Sequence, residues 1–119
     1  MSEGSAPSVY LCVPTFRRPE GLRKLLVHIE RLTYPGALRV IVVDNDAETA
    51  AGAAIVEQMS PTFRFPLVGC VEPRRGQTYA YNHAFASACR ATPSPDYVAV
   101  LDDDEYPDPN WLGEMVGVP

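Results

Sequence analysis

The chain has 119 residues, 46% of them hydrophobic and 21% charged, which fits one modest globular domain and excludes a disordered tail or a polytopic membrane protein. Its formal net charge is −5, but five acids (Asp102, Asp103, Asp104, Glu105 and Asp108) sit in one tract, and without them acids and bases balance. The acidic excess is therefore local, and no broad basic face is offered to nucleic acid.

In chain order, Ser8–Val13 reads as a short buried strand. Pro19–Leu32 follows as a helix, with Leu22, Leu25, Leu26, Ile29 and Leu32 at helical spacing. Thr15 and Pro19 are its start signals and Pro35-Gly36 its end. Leu38–Val43 is a β-branched strand, Glu48–Met59 an alanine-rich helix, and Pro66–Val71 a third strand. Gln77–Ala91 is a third helix, closed before Pro93, and Tyr97–Leu101 a fourth strand. Asp108-Pro109 pairs an N-cap with a first-turn proline, opening a helix that has barely begun at Pro119. Met1–Ser8 lacks the basic and apolar regions of a signal peptide. Cys12, Cys70 and Cys89 have no metal-ligand spacing and read as buried free thiols, which suits a reducing cytoplasm.

The order βαβαβαβ predicts an α/β fold, a mainly parallel, Rossmann-like open sheet with right-handed crossovers. Ligands of such sheets lie beyond the carboxyl ends of the strands. The chemically selected residues fall there: Pro14-Thr15-Phe16-Arg17, Asp44-Asn45-Asp46, Glu72-Pro73-Arg74-Arg75-Gly76 and Asp102–Glu105. Side chains alternate along a strand, so a fourth strand running into the acids sends Asp102 and Asp104 one way and Asp103 the other. Two carboxylates on one side suit a divalent ion such as Mg²⁺, which leaves its other positions to water and phosphate.

With that cation, the edge has the parts a nucleotide diphosphate needs. Phe16 offers a flat apolar face to a base, and Asp44 or Asn45 an edge partner. Arg74 and Arg75 offer forked donors, and Gly76 lets backbone approach a ligand closely. Plainer readings stand beside these. Asp44-Asn45-Asp46 also reads as an Asx-rich turn, Asn82 as bonded to a neighbouring loop, His83 as a surface residue and Trp111 as a cap on the core under the acidic loop.

Taken together, Val13-Pro14-Thr15-Phe16-Arg17-Arg18-Pro19, Val42-Val43-Asp44-Asn45-Asp46, Arg75-Gly76 with Asn82, and Leu101-Asp102-Asp103-Asp104-Glu105 resemble a family 2 glycosyltransferase of the GT-A fold, from about Val9 to Trp111. The resemblance implies a nucleotide-diphospho-sugar donor, Mg²⁺ or Mn²⁺, and inversion at the anomeric carbon in one displacement. It implies that Pro14, Thr15 and Phe16 pack against base and ribose, that Asp44, with Asn45, reads the base, and that Arg75, Gly76 and Asn82 border the nucleotide. In the acidic motif, of DXD type, it puts Asp102 and Asp103 on the ribose and phosphate side, and Asp104, with Asp102, on the metal. Many relatives read Ala-Arg-Asn where this chain has Ala80-Tyr81-Asn82. The length implies that residues 1–119 are the nucleotide-sugar half, with the acceptor half and its general base beyond Pro119, since Glu114 is poorly placed for that role. The acceptor (a glycan, lipid or protein) is left open. The alternative is a nucleotide-binding domain or fragment that lacks the base and does not turn over. Expected besides are self-association through apolar surface left by a missing half, and a cytoplasmic location, at the inner face of a membrane in a full-length protein.

Overall fold

Val9–Thr15 (β1) is buried at every position, and Leu38–Asp44 (β2) at all but Arg39. Burial on both faces makes these the central strands, and it explains their unbroken apolar sequences. The computed structural model describes residues 6–117; most of the leader reading of Met1–Ser8, and the stop at Pro119, lie outside that range. Leu67–Val71 (β3) and Tyr97–Val100 (β4) complete a four-stranded sheet in the order β3-β2-β1-β4, with every pairing parallel. The α/β reading holds, and among the described residues no antiparallel strand enters this sheet.

The two faces are packed differently. Val9, Leu11 and Val13 of β1 and Val40 and Val42 of β2 meet Leu22, Leu25, Leu26 and Ile29 of Pro19–Glu30 (α1) and Ile55 and Val56 of Ala51–Met59 (α2). Each such fully buried aliphatic side chain contributes about 1.5–3 kcal/mol relative to exposure. On the opposite face Tyr10, Cys12, Ile41 and Val43 meet Ala80, Ala84 and Ala88 of Gln77–Arg90 (α3). Alanines at i, i+4 and i+8 bring that helix close to the sheet. Trp111–Val116 (α4) returns to the first face, where Leu112 is fully buried and Trp111 packs against the same core, as expected.

Several boundaries differ from the sequence reading. β1 runs two residues further, pairing Pro14 with Val43 and Thr15 with Asp44, which carries both residues to the sheet edge. Thr15 does not cap α1; Pro19 does open it. α2 starts at Ala51 rather than Glu48, because the backbone amides of Glu48 and Thr49 turn back onto the Asp46 carboxylate. β4 ends at Val100, before Leu101 and the acids. Cys12 is buried, but Cys70 is half-buried and Cys89 exposed, which corrects the expectation of three buried thiols. Burial pushes the Cys12 thiol up to about 12, so it stays protonated.

Candidate functional site

Because all four strands run the same way, their carboxyl ends and following loops share one edge of the sheet. There they surround an open cavity of about 650 Å³. Its lining includes Pro14, Thr15, Phe16 and Arg18 from the β1 end, Asn45 from the β2 end, Arg75 and Gly76 before α3, and Asp102, Asp103 and Asp104 after β4.

The acidic run forms a turn, not a strand, closed by the Glu105 N–H on the Asp102 carbonyl at 3.0 Å. Strict alternation therefore does not apply, and all three aspartates border the same cavity. Asp103 accepts the Thr15 hydroxyl at 2.8 Å and pairs with Arg18 at 3.4 Å, tying the acidic turn to β1. Asp102 accepts the Tyr81 hydroxyl at 3.1 Å. Burial, and then that contact with Asp102, push the Tyr81 phenol upward, so it remains a donor. Asp104 is exposed, and among the described residues no hydrogen bond or ion pair engages its carboxylate. Among the described residues no three His, Cys, Asp or Glu side chains form a closed metal cage. An open pair, Asp104 with Asp102, fits a hard cation that keeps most of its sphere for water and phosphate.

Phe16, which also lines the cavity, is half-buried, with the Arg75 guanidinium 4.2 Å and the Arg17 guanidinium 4.9 Å from its ring centroid. Arg17 has a left-handed backbone (φ 53°), unusual for a non-glycine residue. Its Nε donates to the buried Asp46 carboxylate at 3.1 Å, which holds the loop carrying Phe16. The Thr49 hydroxyl and the Arg17 guanidinium hold the Asp46 carboxyl down at about 2, against the effect of burial.

Asp44 and Asn45 are both engaged within the protein. Asp44 is buried, does not line the cavity, and accepts the N–H groups of Asp46 and Ala53, each at 3.0 Å. The second of these bonds caps α2, whose own N-cap residue, Ala50, has no side chain for the task. Gly52 permits the approach: a Cβ there would sit 2.8 Å from Thr15 Cγ2 and 3.2 Å from the Asp44 carboxylate. Asn45 donates to the Glu72 and Arg74 carbonyls at 2.9 and 2.8 Å and accepts the Gly76 N–H at 2.8 Å.

Asn82 does not join the cavity. It lines a second depression with Glu72, Arg74 and His83. There Arg74 forms a two-pronged pair with Glu72, at 3.1 and 3.0 Å, and His83 stands 3.4 Å from the same carboxylate. The Arg74 side chain and amide hold Glu72 down at about 2. Arg18, which lines the cavity, and Tyr81, which reaches Asp102, are residues that the sequence reading left unassigned. Tyr81 had a signal, since it stands where many relatives carry arginine.

Comparison with known proteins gives consistent results. A family model described as "Glycosyl transferase family 2" matches residues 10–118. The succinoglycan biosynthesis protein ExoM of Rhizobium meliloti (strain 1021) is 36% identical over 106 residues, covering 87% of this chain and 32% of its own length. The fold is similar to mannosyltransferase PcManGT from Pyrobaculum calidifontis, solved with GDP-Man and Mn²⁺, with a TM-score of 0.80 and 28% identity over 93% of this chain and 32% of that one. S. aureus TarS 1-349, solved with UDP, shares the fold with a TM-score of 0.74 at 22% identity, covering 92% of this chain and 31% of that chain. The chain thus spans about a third of the length of the relatives it matches.

Proposed function

The chain belongs to glycosyl transferase family 2, and from that membership we propose that residues 1–119 are the donor-binding part of an inverting, metal-dependent glycosyltransferase that uses a nucleotide-diphospho-sugar. The observation that carries this reading is the uncommitted Asp104 carboxylate. It borders the same cavity as Asp102, Phe16 and Arg75, so one site offers carboxylates to a cation and diphosphate and an aromatic face to a base. The GDP-Man and Mn²⁺ held by the mannosyltransferase PcManGT, of like fold, support that assignment.

In this reading Asp104, with Asp102, holds Mg²⁺ or Mn²⁺. Bound there, the ion supplies charge stabilisation to the departing diphosphate. Thr15 and Arg18 keep the Asp103 carboxylate at the cavity wall, toward the ribose. Phe16 supports the base, and Arg75 exchanges its ring contact for phosphate or base oxygens. Gly76 brings backbone close to the nucleotide. The carboxylate that takes the acceptor's proton is assigned to the portion of the relatives' length that this chain does not span. Among the described residues no helix is long and apolar enough to cross a membrane.

Titration with UDP and with GDP, with and without Mn²⁺, tests the reading. Binding is expected only with the metal. Metal-independent binding of the same strength would remove the role given to Asp104.

A further inference from the structure

We propose that Asn45 is a positioning residue: its side-chain amide sets the backbone of the loop between β3 and α3, and so fixes where Arg75 and Gly76 meet the cavity. The inference rests on the reading of that cavity as the nucleotide-sugar site. Asn45 is 6% exposed, and its amide is spent on one loop. Its Nδ2 donates to the carbonyls of Glu72 and Arg74, and its Oδ1 accepts the N–H of Gly76. These contacts span the residues on both sides of Arg75. With both amide hydrogens committed, Asn45 has no donor left for a base edge.

The pattern selects asparagine. Two donors and one acceptor at this reach match a primary amide. Aspartate would still accept from Gly76 but would set a carboxylate against two carbonyl oxygens. Serine is too short to span the loop, and glutamine is one methylene too long. Gly76, at φ 133°, has a backbone that glycine adopts readily and other residues rarely do, and the bond to its N–H selects that conformation among those open to it. Glu72 pins the loop from its other end through the Arg74 amide at 2.9 Å. Arg75 between these anchors is free to meet a ligand while its Cα is held.

The test is calorimetric titration of UDP and of GDP, with Mn²⁺, into the protein and its Asn45→Asp variant. Both nucleotides are expected to weaken by the same factor, about tenfold at about pH 8, because the loop shifts for either one. The variant-to-wild-type ratio is expected to narrow toward about pH 6, where the new carboxyl, facing two carbonyl oxygens, takes up a proton and becomes a donor. Loss confined to one nucleotide would make Asn45 a base reader and overturn the proposal, as would unchanged affinity for both. Hydrogen exchange at the Gly76 amide gives a readout without ligand, and it serves if the variant does not fold. Slow exchange is expected in the wild-type protein, and fast exchange there would overturn the positioning. A wild-type protein that binds neither nucleotide, yet protects the Gly76 amide, would instead overturn the donor-site reading and with it the role of this loop.

Discussion

Two acid-rich tips stand at the carboxyl edge of the sheet, one after β2 and one after β4, and they look alike in sequence. Asp44 and Asp46 are buried, and their oxygens are occupied by N–H groups, a threonine hydroxyl and an arginine. Asp102 holds one protein hydroxyl, Asp103 a hydroxyl and the Arg18 guanidinium, and Asp104 nothing among the described residues. Saturation by protein donors therefore separates a carboxylate that builds local structure from one whose oxygens the described residues leave open. The first kind satisfies backbone that would otherwise be buried unpaired. The second retains the lone pairs that a cation requires.

The largest expected effect is at the open tip. Asp104→Ala should weaken Mn²⁺-dependent nucleotide binding by about 100-fold, or about 2.7 kcal/mol, while urea unfolding shifts by under about 0.5 kcal/mol. A large loss of stability with binding intact would reverse the roles given to the two tips. Next comes the closed tip: Asp44→Ala should cost about 2 kcal/mol in urea unfolding, because the Asp46 and Ala53 amides lose their acceptor. Unchanged stability would break the comparison.

Acid sensitivity sharpens it further. Asp46 and Glu72 are both held at about 2 in the fold, below their ordinary values of 3.8 and 4.5. The unfolded chain therefore binds more protons between about pH 5 and about pH 2, and stability is lost as pH falls through that window. Above it the contribution is complete. Glu72→Gln should flatten the acid side of a stability profile measured by urea unfolding, and an unaltered profile would deny Glu72 its part. The smallest effect is at the bridge between β1 and the acidic turn. Thr15→Val should cost about 1 kcal/mol and loosen nucleotide binding only a few-fold, measured by the same two methods.

The residue pattern was sufficient to place the strands and helices. Leu22, Leu25, Leu26 and Ile29 recur at helical spacing, and all four are buried in α1 as that spacing requires. It also grouped Phe16, Arg75 and Asp102–Asp104 at one sheet edge, and these residues do line one cavity. It misjudged the start of α2, because Glu48 and Thr49 have helix-compatible sequence but are diverted by Asp46, a competition that local propensity does not weigh. It could not tell that Asp44 is buried and saturated while Asp104 is exposed, since both are acids just past a strand, nor send Asn82, inside α3, to the second depression.

Order along the chain, hydrophobic spacing and the spread of loop chemistry thus determined the α/β sheet, the family and the edge where the polar loops gather. These follow from local periodicity and from the rule that parallel strands put their carboxyl ends together. Only the tertiary structure decided which polar groups remain available, because that depends on partners far apart in sequence. Asn45 is spent on Glu72, Arg74 and Gly76, and Thr15 on Asp103, whereas Asp104 is left to the cavity. A carboxylate's role is set by whether the fold brings donors to it, and that information lies in the packing of the four loops against one another.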